Sequence, residues 1–331
     1  MAQDPVKRAP LKVLLAGLLA AACLVIFSSA VTAQTGGTTD DDEPLLHGYV
    51  DRLEVSLVLL QATVVDRKGA VVNGLTPADF KLYEEDEPQK ISVFGTSMDQ
   101  PLQVAFLLDV SGSMGLRGKF KMARESITRF VAHLRVDDQL ALLTFADGSV
   151  VVKKGFTEDR NLFFKALNSM APWGRTALRD ALAHAPGILM GAAPGRKALV
   201  LVTDGVDNAS EMTVLEAIQT ARAVPVPIFT IALSDLPAGM HEEIRPDSGG
   251  RSFFEVLQAF GHETGGTLMP VFSPADMNAA ISLIDSRLRG QYIIGYRPTD
   301  SAEPGSFRRV TLETTDKHLR VITRTGYYAS R

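Results

Sequence analysis

Residues 102–108 form an almost continuously apolar segment that ends in Asp109. A strand of this kind is typical of a parallel sheet that is covered on both faces. The apolar periodicity predicts further strands at 139–145, 197–203, 226–233 and 267–271, and helices at 119–135, 160–170, 177–190, 212–223, 253–263 and 275–289. Residues 101–289 are therefore predicted to form a doubly wound α/β domain with a mostly parallel sheet and helices on both faces.

The segments on either side of this domain are rich in predicted β-strands. The N-terminal segment spans residues 49–98 and the C-terminal segment spans residues 291–328. Neither segment has enough strands to bury two sheet faces alone, so we predict that they pair into one β-sandwich. Within the first strand the apolar parity changes between Leu59 and Leu60, which predicts a β-bulge.

The N-terminus carries the features of an export signal. Basic residues precede an apolar run at 13–27, and small residues up to Ala33 match a signal-peptidase site. We therefore expect residues 1–33 to be a signal peptide and the protein to be periplasmic or secreted. An uncleaved membrane anchor is one alternative, because the apolar run extended to Ala33 is nearly long enough to span a bilayer. Lipidation at Cys23 is the other, because residues 19–23 (L-A-A-A-C) resemble a bacterial lipoprotein box. Residues 34–48 are expected to form a polar linker.

Charge and cysteine content exclude several classes of partner and site. Lys and Arg number 34 against 38 Asp and Glu, and no segment is strongly basic, so we expect no nucleic-acid partner. Cys23 is the only cysteine, which excludes an intramolecular disulfide and a thiolate zinc site. Contact with a membrane is expected only through an uncleaved N-terminal segment.

Oxygen-bearing side chains cluster where predicted strands end and a predicted helix begins. Asp109, Ser111 and Ser113 follow the first strand, Thr176 precedes a helix, and Asp204 follows the strand at 197–203. Ligands of such folds bind at the carboxyl ends of the strands, so these five side chains are expected to face one point. An oxygen-only set suits Mg²⁺, with Mn²⁺ or Ca²⁺ as alternatives, rather than zinc or copper.

Three motifs resemble the metal-ion-dependent adhesion site of von Willebrand factor type A domains. They are D-V-S-G-S at 109–113, G-R-T-A-L around Thr176, and T-D-G at 203–205. The resemblance covers about residues 101–289 and implies a Rossmann-like fold and metal-dependent protein recognition. It also implies that Ser111, Ser113 and Thr176 coordinate the ion, while Asp109 and Asp204 act mainly through hydrogen-bonded water. The flanking segments resemble an exported bacterial subgroup of the acidobacterial type.

Three neighbouring residues and one loop are weaker candidates for a functional role. Asp207 could orient the ligand residues, and Trp173 and Arg175 could contact a partner, with turn formation or packing as the alternatives. Residues 234–266 resemble an enlarged loop that could border the metal. Its candidate partner contacts are Asp235, Asp247 and Arg251.

Together these features predict an exported, non-enzymatic protein-binding module. The expected partner is a protein that presents Asp or Glu to the metal. A structural envelope scaffold with a stabilising metal is the alternative, and a Mg²⁺-dependent phosphatase or other hydrolase is a weaker one. Haloacid-dehalogenase-like phosphatases place a second aspartate two residues after the nucleophile, where this sequence has Ser111. No general base accompanies Ser111 or Ser113 in the sequence pattern.

Overall fold

The protein is described from a computed structural model, which covers residues 57–97, 100–205, 207–233, 252–300 and 302–329. The predicted signal peptide and the linker lie outside the described residues. So do residues 234–251 of the predicted loop, with Asp235, Asp247 and Arg251. Within the described residues, no helix combines the length and the apolar character needed to cross a membrane.

A six-stranded sheet forms the centre of the fold, in the order β10-β9-β8-β5-β6-β7. Its strands are β5 (Leu102–Asp109), β6 (Gln139–Ala146), β7 (Ser149–Thr157), β8 (Arg196–Thr203), β9 (Ile228–Leu233) and β10 (Thr267–Val271). All neighbouring strands are parallel except β6 and β7, which are antiparallel. The predicted α/β fold with a mostly parallel sheet is confirmed.

Helices cover both faces of this sheet. They are α1 (Lys119–His133), α2 (Arg160–Asn168), α3 (Leu178–Met190), α4 (Val214–Arg222), α5 (Phe253–Thr264) and α6 (Pro274–Arg289). All eight residues of β5 are buried. Successive side chains alternate between two hydrophobic cores, one on each face of the sheet. Val104 and Phe106 pack with residues of α1, α2 and α6, whereas Ala105 packs with residues of α3, α4 and α5. This explains the continuous apolar run, because both faces of the strand are covered.

The antiparallel strand β7 was not predicted from the sequence. Asp147 and Gly148 connect it to β6 with φ angles of 47° and 82°. Two positive φ angles are typical of the tight turn that joins antiparallel strands, and Asp-Gly is a preferred pair in that turn. The Asp-Gly pair before the apolar run at 150–152 was therefore a signal for a hairpin.

The two flanking segments share two four-stranded sheets. One has the order β13-β1-β11-β4 and the other the order β14-β12-β2-β3. The strands are β1 (Val58–Val65), β2 (Phe80–Glu84), β3 (Glu87–Gln89), β4 (Ile91–Thr96), β11 (Gln291–Tyr296), β12 (Phe307–Thr314), β13 (Arg320–Ile322) and β14 (Gly326–Tyr328). Leu60 and Ile294 of the first sheet share a core with Leu82 and Leu312 of the second. The predicted pairing of the flanks into a sandwich is therefore present.

The predicted bulge in the first strand is wrong for the described residues. Val58 to Thr63 pair with β11 in an unbroken register, and Leu60 is fully buried. Leu59 instead points outward and is 47% exposed. Its side chain lies over Gly295, where an added Cβ would be 2.9 Å from Leu59 Cδ2. The parity change thus marks an apolar residue on the outer face of the sheet rather than an extra residue in the strand.

Two arginines, Arg196 and Arg289, hold the chain where it passes between the central sheet and the flanking sandwich. Arg196 Nη1 donates a hydrogen bond to the Ser97 carbonyl at 2.7 Å, and its Nη2 donates to Gln291 Oε1 at 3.0 Å. Arg289 forms an ion pair with buried Asp138, which also accepts a hydrogen bond from the backbone N–H of Leu102 at 2.8 Å. These contacts fix the start of β5, at the edge of the sheet opposite Asp109.

Candidate metal centre

The five predicted ligand residues lie at the carboxyl edge of the central sheet. Asp109 is the last residue of β5. Ser111 directly precedes a short 3₁₀ helix at Gly112–Gly115, and Ser113 lies within that helix. Asp204 directly follows β8, and Thr176 lies two residues before α3.

Gly112 brings two of these loops together. Its backbone N–H donates a hydrogen bond to the Gly174 carbonyl at 2.9 Å, and an added Cβ would be only 3.3 Å from that oxygen. The contact joins the loop after β5 to the loop before α3, although the two are more than sixty positions apart in the sequence.

Four of the five residues are connected by hydrogen bonds. The hydroxyls of Ser111 and Ser113 are 3.1 Å apart, and Ser113 Oγ donates to Asp204 Oδ1 at 3.0 Å. Asp109 Oδ1 accepts a hydrogen bond from the backbone N–H of Ser111 at 2.8 Å. The aspartates that end β5 and follow β8 therefore belong to one polar cluster.

Thr176 joins the cluster across Gly205. A Cβ added to Gly205 would lie 2.9 Å from Asp109 Oδ2 and 3.4 Å from Thr176 Oγ1. Asp109 and Thr176 are 0% and 2% exposed. A side chain at position 205 would fill the space between these two oxygens, so glycine keeps the cluster open. The structure thus brings all five predicted residues together.

Asp109 carries an ionisable group in an unfavourable environment. Burial raises the pKa of Asp109 to about 6, although hydrogen bonds from Thr203 and Ser111 lower it, and the nearby charge of Asp204 raises it further. Thr203 Oγ1 donates to Asp109 Oδ2 at 2.6 Å. A cation bound nearby would favour the ionised form of this carboxylate and offset its loss of hydration.

Lys119 is part of the cluster, and the sequence analysis missed this role. Its Nζ lies 2.7 Å from Asp204 Oδ2, and the Asp204 side chain is almost fully buried. Lys119 is the first residue of α1, after Gly118 in a left-handed conformation. A positive charge at a helix N-terminus opposes the helix dipole. A lysine directly after the glycine at a predicted helix start was therefore a signal that a carboxylate lies nearby.

The three weaker candidates have different surroundings. Asp207 Oδ2 accepts hydrogen bonds from the backbone N–H of Arg179 and from Ser210 Oγ, so Asp207 holds the loop after β8 against the start of α3. Arg175 donates from its guanidinium to the Asn208 carbonyl. Trp173 is 59% exposed, and its backbone N–H donates to the Val110 carbonyl at 2.6 Å. Trp173 and Arg175 are both exposed, whereas Asp207 is half-buried.

The donor set fits a hard divalent cation. Three hydroxyl groups and two carboxylates supply only oxygen atoms, which Mg²⁺ and Mn²⁺ prefer. The described part of the chain contains no group of three or more His, Cys, Asp or Glu side chains arranged to hold a metal. Ser111, Ser113 and Thr176 supply three of the five candidate oxygen ligands.

Comparison with known proteins agrees with this architecture. Residues 104–206 match the family model of the von Willebrand factor type A domain. Residues 104–206 belong to a von Willebrand factor type A domain. Such domains typically mediate protein–protein interaction and are usually not enzymes. The match includes Asp109 and Asp204 at the ends of two neighbouring strands.

The relatives are distant. A protein of Borreliella burgdorferi is 30% identical over 139 residues, which is 39% of this chain and 40% of that protein. This chain therefore matches less than half the length of that relative. A von Willebrand factor type A protein from Catenulispora acidiphila is 15% identical, with a TM-score of 0.46, over 82% of this chain and 73% of that one. BatB from Bacteroides thetaiotaomicron is 21% identical, with a TM-score of 0.43, over 56% of this chain and 98% of that one.

Proposed function

We propose that this protein is an exported binding module in which a divalent cation, most simply Mg²⁺, links it to an Asp or Glu of a protein partner. The single observation that carries the proposal is the polar cluster itself. Asp109, Ser111, Ser113, Thr176 and Asp204 meet at one edge of a von Willebrand factor type A domain. Protein recognition is the typical role of this domain, and the cluster supplies a reason for it to depend on metal.

The five residues of the cluster have two kinds of role in this mechanism. By the family resemblance, the hydroxyls of Ser111, Ser113 and Thr176 hold the ion, and Asp109 and Asp204 act mainly through water. When bound, the cation supplies a positive charge that attracts a carboxylate from outside the protein. Hydrogen bonds from Thr203 and Ser111 fix both oxygens of Asp109, so the carboxylate is held in one orientation.

Export and membrane attachment belong to the same proposal. They rest on the basic and apolar residues of positions 1–33, which lie outside the described residues. A periplasmic or secreted location would give the module access to partners at the cell envelope.

The first test measures metal uptake and partner capture on the full-length protein. We expect Mg²⁺ or Mn²⁺ binding by calorimetry for the natural protein and its loss in Asp109→Asn and Thr176→Ala. The exposed Asp137, in the loop before β6 at the opposite edge of the sheet, provides the control variant Asp137→Asn, which should bind metal normally.

Partner capture then separates binding from a purely structural role. Proteins captured from a cell-envelope extract should be lost on addition of a chelator and in Asp109→Asn. Metal uptake without any chelator-sensitive capture would favour the scaffold alternative. Unchanged metal uptake in both Asp109→Asn and Thr176→Ala would overturn the metal site.

A further inference from the structure

Thr176 lies in a short segment whose backbone is held from two sides. Asp147, in the turn between β6 and β7, contacts the backbone of Arg175. Asn208, in the segment after β8, contacts the backbone of Thr176. Both Asp147 and Asn208 are exposed and lie outside the five-residue cluster. The mechanism proposed for the metal centre uses neither side chain.

Asp147 satisfies both backbone polar groups of Arg175. Its Oδ1 accepts a hydrogen bond from the backbone N–H of Arg175 at 2.7 Å, and its own backbone N–H donates to the Arg175 carbonyl at 2.9 Å. Gly174, with a φ angle of 77°, lies against the same carboxylate, where an added Cβ would be 2.9 Å from Asp147 Cγ. The Asp147 carboxylate therefore fixes the chain immediately before Thr176.

Asn208 satisfies both backbone polar groups of Thr176 in the same way. Its Oδ1 accepts a hydrogen bond from the backbone N–H of Thr176 at 2.9 Å, and its backbone N–H donates to the Thr176 carbonyl at 2.9 Å. The N–H of Thr176 precedes α3, so the helix itself supplies no acceptor for it. Since Asn208 and Asp204 both follow β8, this contact joins Thr176 to the segment that carries another candidate ligand.

These contacts restrict the direction of the Thr176 side chain. With its N–H and its carbonyl both bonded, the backbone of Thr176 has little freedom to rotate, and a β-branched side chain is also stiff at χ1. Its hydroxyl lies beside the Asp109 carboxylate, across the space that a Cβ at Gly205 would fill. A metal ligand has to be held to within about 0.5 Å of its working position, so the backbone of Thr176 has to be fixed.

We propose that Asp147 and Asn208 are positioning residues of the metal centre, which hold the Thr176 hydroxyl in place for a divalent cation. Neither side chain touches the ion in this arrangement, because each acts through the backbone of residues 175–176. Removal of such supporting hydrogen bonds lowers metal affinity even when every ligand is still present. This role rests on the proposed function, because it concerns the same metal centre.

Calorimetric titration of Mg²⁺ into the full-length protein tests this role. Asp147→Gly and Asn208→Ala each remove one side-chain acceptor, and we expect each to weaken Mg²⁺ binding by about tenfold. Glycine is chosen at position 147 because the φ angle there is 47°, which glycine adopts without strain. Asp147→Asn keeps an acceptor at Oδ1 without the negative charge, so it should recover most of the affinity that Asp147→Gly loses.

Asp159 provides the matched control for lost stability. It is exposed, and its Oδ1 accepts hydrogen bonds from the backbone N–H groups of Asn161 and Leu162 at the start of α2. It follows the end of β7 that pairs with Leu140, at the edge of the sheet opposite Asp109. Asp159→Ala should lower the melting temperature by about 2–4 °C and leave the Mg²⁺ affinity unchanged.

Hydrogen exchange of the metal-free protein provides a measurement that needs no ion. The backbone N–H of Thr176 should exchange slowly in the natural protein, because Asn208 accepts its hydrogen bond. In Asn208→Ala we expect this N–H to exchange at least about tenfold faster, measured by mass spectrometry on peptides that contain residues 175–177. Unchanged exchange in Asn208→Ala would show that Asn208 does not hold the backbone of Thr176 and would overturn its positioning role.

The possible failures are distinguishable. Natural Mg²⁺ affinity in both Asp147→Gly and Asn208→Ala would overturn the positioning role and leave the proposed function in place. Equally weak binding in Asp147→Gly and Asp147→Asn would mean that the charge of Asp147 matters rather than its hydrogen bond. An equal loss of affinity in Asp159→Ala would mean that Mg²⁺ binding follows overall stability, which also contradicts positioning. If the natural protein takes up no Mg²⁺, both the positioning role and the proposed function are wrong.

Discussion

Lys119 places a positive charge next to the carboxylate of Asp204, and the same carboxylate would attract the proposed cation. The two cations repel each other, so we expect Lys119→Ala to bind Mg²⁺ or Mn²⁺ about three- to tenfold more tightly. The metal-free variant should be less stable by about 1–3 kcal/mol, because a buried carboxylate loses its partner. Calorimetry and thermal unfolding with and without Mg²⁺ measure both effects.

Lys121 provides the control for this prediction. It lies on the same helix, is largely exposed and pairs with Glu125 at 3.9 Å, so Lys121→Ala should change neither metal affinity nor stability appreciably. Weaker metal binding in Lys119→Ala would contradict the prediction and would mean that the lysine organises the site rather than competing with the ion.

At the scale of elements, helix α3 contains two residues that disfavour a helix interior. Pro186 and Gly187 lie within Leu178–Met190, and the helix continues through both because its apolar face is buried in the core. Gly187 is exposed, and an added Cβ would meet nothing within 4 Å. We therefore expect Gly187→Ala to raise the free energy of unfolding by about 0.5–1 kcal/mol, measured by urea denaturation.

The opposite result is expected where glycine has close neighbours. Gly205→Ala, with its Cβ 2.9 Å from Asp109 Oδ2, should destabilise the protein, which distinguishes local packing from a general benefit of alanine. Loss of stability in Gly187→Ala would show that the backbone there is strained in the helix.

At the scale of the whole molecule, Asp138 and Arg289 connect β6, α6 and the start of β5. Burial alone would raise the pKa of Asp138, but hydrogen bonds from Arg289, Leu102 and Arg135 and the charge of Arg289 lower it below its usual value. The ionised carboxylate therefore stabilises the folded state. We expect Asp138→Asn to lower the free energy of unfolding by about 3 kcal/mol at neutral pH.

The pH dependence of this loss identifies its cause. A carboxylate whose pKa is lowered by folding contributes fully above its unfolded pKa of about 3.9 and loses its contribution as the pH falls through its folded pKa. The difference between the natural protein and Asp138→Asn should therefore be constant from neutral pH to about pH 5 and shrink below about pH 4. Urea denaturation of both proteins across this pH range measures the difference in their free energies of unfolding. Asp137→Asn should show no such trend, and a difference that persists unchanged at low pH would rule out the ion pair as its source.

The sequence alone determined the central fold and the five residues of the cluster. Buried parallel strands require continuous apolar runs, and the strand-end position of Asp109 and Asp204 follows from the same pattern. It also indicated that the flanks pair, since neither had enough strands alone. These features are local or periodic, so they can be recognised without coordinates.

Only the tertiary structure decided the features that depend on which distant side chains meet. Leu59 points outward opposite Gly295 of the neighbouring strand. The contact of Lys119 with Asp204 depends on the start of α1 lying next to the loop after β8. The backbone contacts that hold the loop before α3 depend on two neighbouring loops lying beside it. The physical reason is that sequence periodicity specifies which face of an element is buried. Contacts between elements depend on how those faces pack against one another.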